Sequence, residues 1–518
     1  MKLFQFMWIA AVAVGLSVSQ IIQTDAQGES AFMTVSLKTD ILQFVGGGGQ
    51  PLVGAKVLIG YERNDPFSGN ELVTNAFGAI NIPSQWKGAL PVTVVSNGNV
   101  RTTYDSVPPT RGILKVSEVE GSRNLEVKGR AEKFGRLRRD GIADFGFVIP
   151  TFTLKKLLRF DISTMLSPSV DTIRVLGKKL EVPSNLVIPS QIESYTLPVH
   201  LKKPRYRAYV RKEGDYKFYA LHGRFPFKQV IDEVRSGKSV FELINHFDFV
   251  GGGITDIKVN QNGARVNLPV NQMAFNGSVA VKAPNFPNTQ ALLSMAMANF
   301  NGHLVPTDLK SLMPNQAIHL KAASEAQAMH VLHILTNRQN HSPRLAVLSM
   351  EESADTTGLS SEETIHVLTL SGLSSGAIFN QLSFVLQNSA NGSAPTFLDM
   401  VAPPQLEPNS LRLQAPPLPT GVKAVATYLV LSEIEEITSG KVKSERRTRL
   451  WEVFSPSWVE FVRLPHFNLN RLPHRKYRWE VMFLGRSVMK ASFGNNNSSA
   501  GAGLLEGVTH ITRSAVDI

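Results

Sequence analysis

The sequence predicts a mainly β protein: a multi-domain chain of antiparallel β-sandwich modules with a few short helices. Apolar and polar residues alternate over short runs in most of the chain, which is the pattern of half-buried strands. The 39 glycines and 29 prolines interrupt these runs where turns are expected. A chain of 518 residues is also long enough for three or four domains, at roughly 100 to 200 residues each.

Residues 1–26 have the composition of a cleavable secretory signal. Lys2 supplies a positive charge, residues 3–18 are almost wholly apolar, and the small residues Thr24 and Ala26 suit cleavage after Ala26. This run is shorter than the about 20 apolar residues of a transmembrane helix. An uncleaved anchor is the alternative. We therefore predict export to the periplasm, the cell surface or the medium, with no membrane span in the mature chain.

Composition restricts the possible function classes. The sequence contains no cysteine, which excludes disulfides, thiolate metal sites and cysteine nucleophiles and is typical of a bacterial envelope protein. The net charge of +12 is uneven, with 23 basic and 12 acidic residues in 111–224, and 12 and 4 in 441–490. Such regions favour anionic partners such as lipid headgroups or acidic glycans, or serve solubility alone. Export argues against nucleic acid.

The first module, residues 32–107, carries the clearest alternation. Strands are predicted at 33–37, 55–59 and 90–95. Paired prolines at 108 and 109 disfavour strand pairing, so we place the module boundary there.

Two consecutive motifs in this module are Gly49-Gln-Pro-Leu-Val-Gly-Ala-Lys-Val57 and Val73-Thr-Asn-Ala-Phe-Gly-Ala-Ile-Asn-Ile82. They resemble the regulatory-like β-sandwich module of carboxypeptidases, where a G-x-P-L-x-G-A-x-V strand precedes T-x-x-x-G-x-x-x-I. Glycines at such positions permit turns of positive φ. The resemblance covers only residues 32–107 and implies a spacer or binding module. The sequence departs from the family at residues 75–77, where an acidic residue commonly precedes the glycine.

A basic β-rich region follows at residues 110–287, with prolines that punctuate short strands. Its segment 227–247 instead has apolar residues three and four apart, the spacing of one buried helical stripe. We expect two short helices there, broken near Gly237 and packed on a sheet. A denser basic run at 128–139 is interpreted as a basic loop.

The rest of the chain is predicted to form two further β regions. The first covers residues 288–402, and its segment 290–299 is expected to form one or two helical turns before strands resume. The second covers residues 421–493. Low-complexity sequence then predicts a flexible tail over residues 494–518.

A literal G-x-S-x-G motif, centred on Ser374, raises the possibility of a serine hydrolase. A nucleophile elbow leads into a helix, however, and residues 377–386 have the pattern of a strand, so a hairpin turn is the favoured interpretation. Ser374 remains a weak catalytic alternative, with His466 or His474 as its possible base.

Two other motifs give no convincing site. Ser236-Gly-Lys-Ser239 resembles the end of a phosphate-binding loop, but Asp232 occupies the position of the required first glycine. His330 and His333 are three residues apart in an apolar run: on a helix they could share a metal, but on a strand, the favoured interpretation, they point to opposite faces, and no third ligand is evident. We therefore predict no cofactor and no metal.

Two stretches combine basic and aromatic residues at the two-residue spacing of one strand face. The first strip comprises Arg205, Arg207 and Tyr209. The second comprises Arg475, Tyr477 and Trp479. Such a face suits sugars, phosphates or exposed bases, whereas a solvated edge-protecting strand uses the same residues.

These observations favour a non-enzymatic cell-envelope protein of β-sandwich modules. Its partner is expected to be an anionic polysaccharide, lipid headgroups or an envelope protein, bound through the two strips with an affinity that salt weakens. The alternative is a secreted hydrolase whose site is not visible as a local motif.

Overall fold

The protein is described from a computed structural model. The described residues are 41–46, 49–61, 71–119, 125–135, 141–153, 170–175, 178–189, 203–210, 213–226, 229–230, 232–233, 236, 238, 240–337, 381–388, 392–439, 442–465, 475–488 and 507–518. The predicted signal lies outside them. Within them the fold is mainly β, as the sequence predicts.

Seven strands form the N-terminal region: β1 Ile41–Val45, β2 Lys56–Ile59, β3 Leu72–Val73, β4 Ala79–Asn81, β5 Leu90–Val95, β6 Arg101–Val107 and β7 Gly112–Lys115. The strands predicted at 55–59 and 90–95 are confirmed, and the one at 33–37 lies outside the described residues. β7 follows the paired prolines yet pairs in parallel with β1. The region therefore continues past the predicted boundary.

The motif glycines adopt the conformation that their turns require. Gly54 and Gly78 have φ of 72° and 66°. A Cβ atom at Gly78 would lie 2.6 Å from the Phe44 carbonyl oxygen and 2.7 Å from the Leu52 nitrogen. Position 78 therefore requires glycine for two reasons: the positive φ of the turn, and the close approach of the backbone at Phe44 and Leu52. The resemblance to the carboxypeptidase module stays a prediction.

The middle region contains twelve strands and a short helix. They are β8 Leu125–Glu132, β9 Ile142–Pro150, β10 Phe152–Thr153, β11 Val170–Val175, β12 Lys178–Pro183, β13 Leu186–Val187, β14 Arg205–Val210, β15 Gly214–Pro226, α1 Val240–Leu243, β16 Asp248–Val259, β17 Ala264–Arg265, β18 Leu268–Pro269 and β19 Met273–Ala274. A five-stranded sheet has the order β13-β9-β15-β16-β19. β8 lies between β14 and β17 in a second sheet, and β18 also pairs with it.

The helix predicted in the second half of segment 227–247 is confirmed. α1 continues into a 3-10 turn at Ile244–His246. Phe241, Leu243 and Ile244 are buried, and Phe247 stacks on Phe225 of β15 with ring centroids 5.2 Å apart. The segment therefore packs on a sheet, as its apolar stripe indicates.

The last thirteen strands are β20 Gly277–Lys282, β21 Gln290–Phe300, β22 His303–Leu312, β23 Ala317–Ala322, β24 Ala328–Asn337, β25 Gln381–Asn388, β26 Gln405–Glu407, β27 Ser410–Arg412, β28 Val422–Ser439, β29 Val442–Ser455, β30 Phe461–Arg463, β31 Lys476–Ser487 and β32 His510–Asp517. The helical turns expected at 290–299 are wrong, because these residues form β21. Residues 291–298 are all buried, so both faces of the strand are covered and the period-2 signal is lost.

The C-terminal residues also differ from the prediction. Residues 510–517, assigned to a flexible tail, form β32 between β25 and β31. The alternating apolar residues of this strand are few, and its backbone hydrogen bonds to both neighbours hold it in place.

One thirteen-stranded sheet draws strands from all four predicted modules, in the order β10-β22-β21-β24-β25-β32-β31-β28-β29-β6-β5-β2-β3. On one face it shares a large core with the five-stranded sheet, through residues such as Phe147 and Leu293. The other face of the five-stranded sheet packs on β8 and β14, through residues such as Phe218 and Tyr206. The sheet that contains β14 is therefore an outer layer of the fold.

Candidate binding face

The first basic strip lies on the outward face of β14. Tyr206 and Ala208 point into the core between the two sheets and are buried, whereas Arg205 is exposed and Arg207 and Tyr209 are partly exposed. This alternation confirms the predicted shared face of Arg205, Arg207 and Tyr209. It arises because only one side of the strand is covered by another sheet.

Neighbouring strands add further basic residues to the same face. Arg205 lies opposite Arg130 of β8, and Arg207 lies opposite Lys128. On the other side of β8, Arg265 of β17 lies beside Lys128. We call this set the basic face; its members are Lys128, Arg130, Arg205, Arg207 and Arg265.

Two of these residues were not expected on a strand. The run 128–139 was interpreted as a loop, but Lys128 and Arg130 belong to β8, whose alternate residues Val127 and Ala131 are buried. The pattern Leu-Glu-Val-Lys-Gly-Arg-Ala-Glu does alternate and could have predicted the strand. The break in alternation at Gly129 has a physical cause. The Val266 carbonyl oxygen lies 1.5 Å from the position that a Cβ atom there would occupy.

We call two residues that lie opposite each other on β14 and β8 a rung. The Arg207–Lys128 rung of the basic face is neutralised by carboxylates. Arg207 Nε donates a 2.9 Å hydrogen bond to Asp171 Oδ1, and its Nη2 contacts the same atom. Glu126 lies 2.6 Å from Lys128 Nζ and 3.8 Å from Arg207 Nη1. Partial burial alone would lower the pKa of Arg207, but hydrogen bonding and charge from Asp171 raise it on balance. The Arg207–Lys128 rung thus carries its own counter-ions.

Asp171 is held in place by a buried ammonium group. Lys203 Nζ lies 2.9 Å from Asp171 Oδ2 and donates hydrogen bonds to the carbonyl oxygens of Ser184, Leu186 and Arg205 at 2.8, 2.6 and 2.9 Å. Burial lowers the pKa of Lys203, against the opposing effect of Asp171. The carboxylate that neutralises Arg207 is therefore a fixed part of the fold.

The adjacent rung differs. Its residues Arg130 and Arg205 are exposed, and so is Arg265, which lies beside Lys128. Within the described part of the chain, none of these three guanidinium groups has an ion-pair partner. The nearby Glu132 instead accepts a 2.7 Å hydrogen bond from Asn267 Nδ2. Tyr209 lies at the neutralised end, with its hydroxyl 3.5 Å from Arg207 Nη1.

The two aromatic residues of the second strip do not lie on the surface. Arg475 is exposed and paired with Glu433, but Tyr477 and Trp479 are 4% and 0% exposed. Trp479 lies in a core cluster, 6.0 Å from the ring of Trp451. The prediction that these two aromatic residues contact a partner is therefore corrected: they are core residues, because β31 is covered on both faces.

The hydrolase alternative gains no support from the described residues. Ser374, His466 and His474 lie outside them. The described Ser294 Oγ lies 2.8 Å from His333 Nδ1, but His333 Nε2 contacts the Gln387 side-chain oxygen at 3.1 Å. An amide does not stabilise an imidazolium as a carboxylate does. Burial lowers the His333 pKa to about 4, so this histidine is neutral near pH 7.

His330 faces away from His333, as their spacing predicts, and its Nδ1 lies 2.9 Å from Asn388 Oδ1. Among the described residues, no group of three or more His, Asp or Glu side chains is placed to hold a metal ion. The same part of the chain contains no helix with the length and apolar character needed to cross a bilayer.

Comparison with known proteins adds little to this geometry. No family model and no curated protein matches the chain. Among solved structures, the Bacillus anthracis TIE protein aligns at 12% identity and a TM-score of 0.15, over 57% of this chain and 44% of that one. BcpA, the major pilin subunit of Bacillus cereus, aligns at 10% identity and a TM-score of 0.14, over 62% and 93%.

This chain thus spans less than half the length of the TIE protein. TM-scores of 0.15 and 0.14 define no common arrangement of strands. The case for function therefore depends on the basic face alone.

Proposed function

We propose that the chain is an exported, non-enzymatic envelope protein that binds an anionic polysaccharide on its basic face. The observation that carries this proposal is the set of three exposed guanidinium groups of Arg130, Arg205 and Arg265 on three adjacent strands. Export is supported by the composition of residues 1–26. The N-terminal carboxypeptidase-like module, extended to include β7, serves as a spacer or accessory binding module in this proposal.

Placement of the charges favours recognition over solubility. Charges that serve solubility alone are best dispersed with opposite signs between them. Here Arg205 lies directly opposite Arg130, and like charges in such cross-strand pairs are destabilising. The fold tolerates this repulsion on an outer layer, where an anionic ligand can relieve it.

The shape of the face favours a polymer. An outward sheet surface presents guanidinium groups in an open array, on strands that lie about 4.8 Å apart. Guanidinium groups pair with carboxylate, sulfate or phosphate through two parallel hydrogen bonds. A chain of charged sugars that crosses the strands can contact all three arginines at once.

The test is binding of the purified protein to immobilised heparin and polygalacturonate at low and physiological salt. We expect saturable binding that weakens with salt, because the contacts are exposed. The triple variant R130A/R205A/R265A should lose it. The control K56A/K282A/R412A removes three exposed charges elsewhere and should retain it. No binding to either polymer, or equal loss in both variants, would contradict the proposal.

A further inference from the structure

We propose that Arg130 and Arg205 together hold one phosphate monoester group of the ligand, with Arg265 as an adjacent second contact. This inference rests on the proposed function and specifies its ligand: a phosphorylated glycan. It assigns the phosphate contact to the Arg130–Arg205 pair and removes the neutralised Arg207 from the direct contacts.

The geometry places the two guanidinium groups side by side. Arg130 and Arg205 are register partners on antiparallel strands, and both side chains are on the outward face. Directly opposite residues of such a pair have Cβ atoms about 4.5 to 5.5 Å apart. One small anion can therefore accept hydrogen bonds from both side chains.

The neighbouring rung shows what the site lacks. Arg207 and Lys128 are also register partners, and the fold supplies them with Asp171 and Glu126. In the described part of the chain the Arg205–Arg130 rung has no such carboxylate. The acidic residue nearest in sequence on this face, Glu132, accepts a hydrogen bond from the neutral Asn267 and forms no described ion pair with either arginine. Among the described residues, the same face thus contains one pair with ion-paired carboxylates and one pair without them.

Charge balance selects the ligand group. Two guanidinium groups carry two positive charges at any pH of interest, since arginine does not lose its proton. A phosphate monoester carries about −1.5 to −2 at pH 7 and has three acceptor oxygens. A uronic acid or a sulfate ester carries a single negative charge and neutralises only half of the pair.

The ligand also gives the site a pH dependence. The second pKa of a phosphate monoester is about 6, so the ligand loses charge as the pH falls from 7 to 5. The acidic groups that face this site are Glu126, Glu132 and Asp171. Glu126 is ion-paired with Lys128 and Asp171 with Lys203, whereas Glu132 accepts a hydrogen bond from Asn267.

The experiment compares three small probes by calorimetry with the full protein at pH 7: glucose 6-phosphate, glucose 6-sulfate and glucuronate. We expect the phosphate to bind about tenfold more tightly than the other two, which corresponds to the loss of one charge-assisted contact. R130A and R205A should each abolish this preference, whereas the exposed control R412A should keep it. Phosphate binding should also weaken from pH 7 to pH 5.

The outcomes separate the two proposals. Equal binding of the three probes, with heparin binding still lost in the triple variant, would overturn the phosphate inference and leave the proposed function standing. Absence of binding to every probe and polymer would overturn both. Because an alanine variant can perturb folding, R205K serves as a second test: it keeps the charge, loses the fork geometry, and should retain only part of the preference.

Discussion

The two basic-aromatic strips have the same sequence pattern and opposite environments. Arg205, Arg207 and Tyr209 lie on an outer strand of an outer sheet, whereas Tyr477 and Trp479 lie in the core of the thirteen-stranded sheet. The difference is set by what covers each strand. β14 has a sheet on one face only, and β31 is covered on both. Alternation identifies a shared face, but the layer in which the strand lies decides whether that face meets solvent.

The largest expected effect is a difference in stability between variants of the two strips. Replacing Trp479 with Ala removes a fully buried indole and should lower the free energy of unfolding by about 3 to 5 kcal/mol. Tyr209→Ala on the partly exposed face should lower it by no more than about 1 kcal/mol. Urea unfolding followed by tryptophan fluorescence and circular dichroism measures both. Similar losses for the two variants would contradict the assignment of one strip to the core.

The buried histidines of the large sheet should also make the free energy of unfolding depend on pH. Burial lowers the pKa of His333 and of His510 from about 6.5 to about 4. The unfolded chain therefore binds more protons than the folded one between these values, and stability falls as pH drops from 6.5 to 4. Each histidine contributes at most about 3 kcal/mol to this loss.

The check is the unfolding free energy of the protein and of His333→Gln across that range. The variant should show the shallower decline with acid. The Arg130 and Arg205 side chains keep their charge throughout, so the basic face itself does not change. A pH-independent stability between 6.5 and 4 would contradict the buried, neutral state of these histidines.

A smaller effect is expected beneath the basic face. Gly129→Ala places a Cβ atom on the Val266 carbonyl oxygen, so β17 must move away from β8. We expect a loss of about 1 to 3 kcal/mol in unfolding free energy and weaker heparin binding, because Arg265 is displaced with β17. Gly112→Ala, where the nearest atom is 3.5 Å away, is the matched control. Unchanged stability and binding in the first variant would show that β17 is not required.

Some of this organisation could be predicted from the sequence and some could not. The mainly β class, the short helix near Phe241 and the shared face of Arg205 and Arg207 follow from local periodicity. Helical turns are predicted in place of β21, because a strand buried on both faces has lost the alternation that identifies it. The burial of Tyr477 and Trp479 in β31 could not be predicted, because no local pattern shows what covers a strand. The meeting of Arg130 with Arg205 depends on pairing between strands 75 positions apart in the sequence, which no local pattern encodes.

The smallest expected change in stability is at the site itself. Arg205→Ala removes an exposed charge opposite Arg130, so unfolding free energy should change by less than about 0.5 kcal/mol. Relief of like-charge repulsion makes a slight gain more favourable than a loss. A loss of more than about 2 kcal/mol, measured by urea unfolding, would indicate a structural role instead.

The most direct test of the account compares one arginine from each strip. Heparin binding at physiological salt is measured for the protein, for Arg205→Ala and for Arg475→Ala, both of which remove an exposed guanidinium. The account predicts clearly weaker binding for Arg205→Ala and no change for Arg475→Ala, whose charge is already paired with Glu433. Equal weakening in both would mean that overall charge, and not the basic face, determines binding.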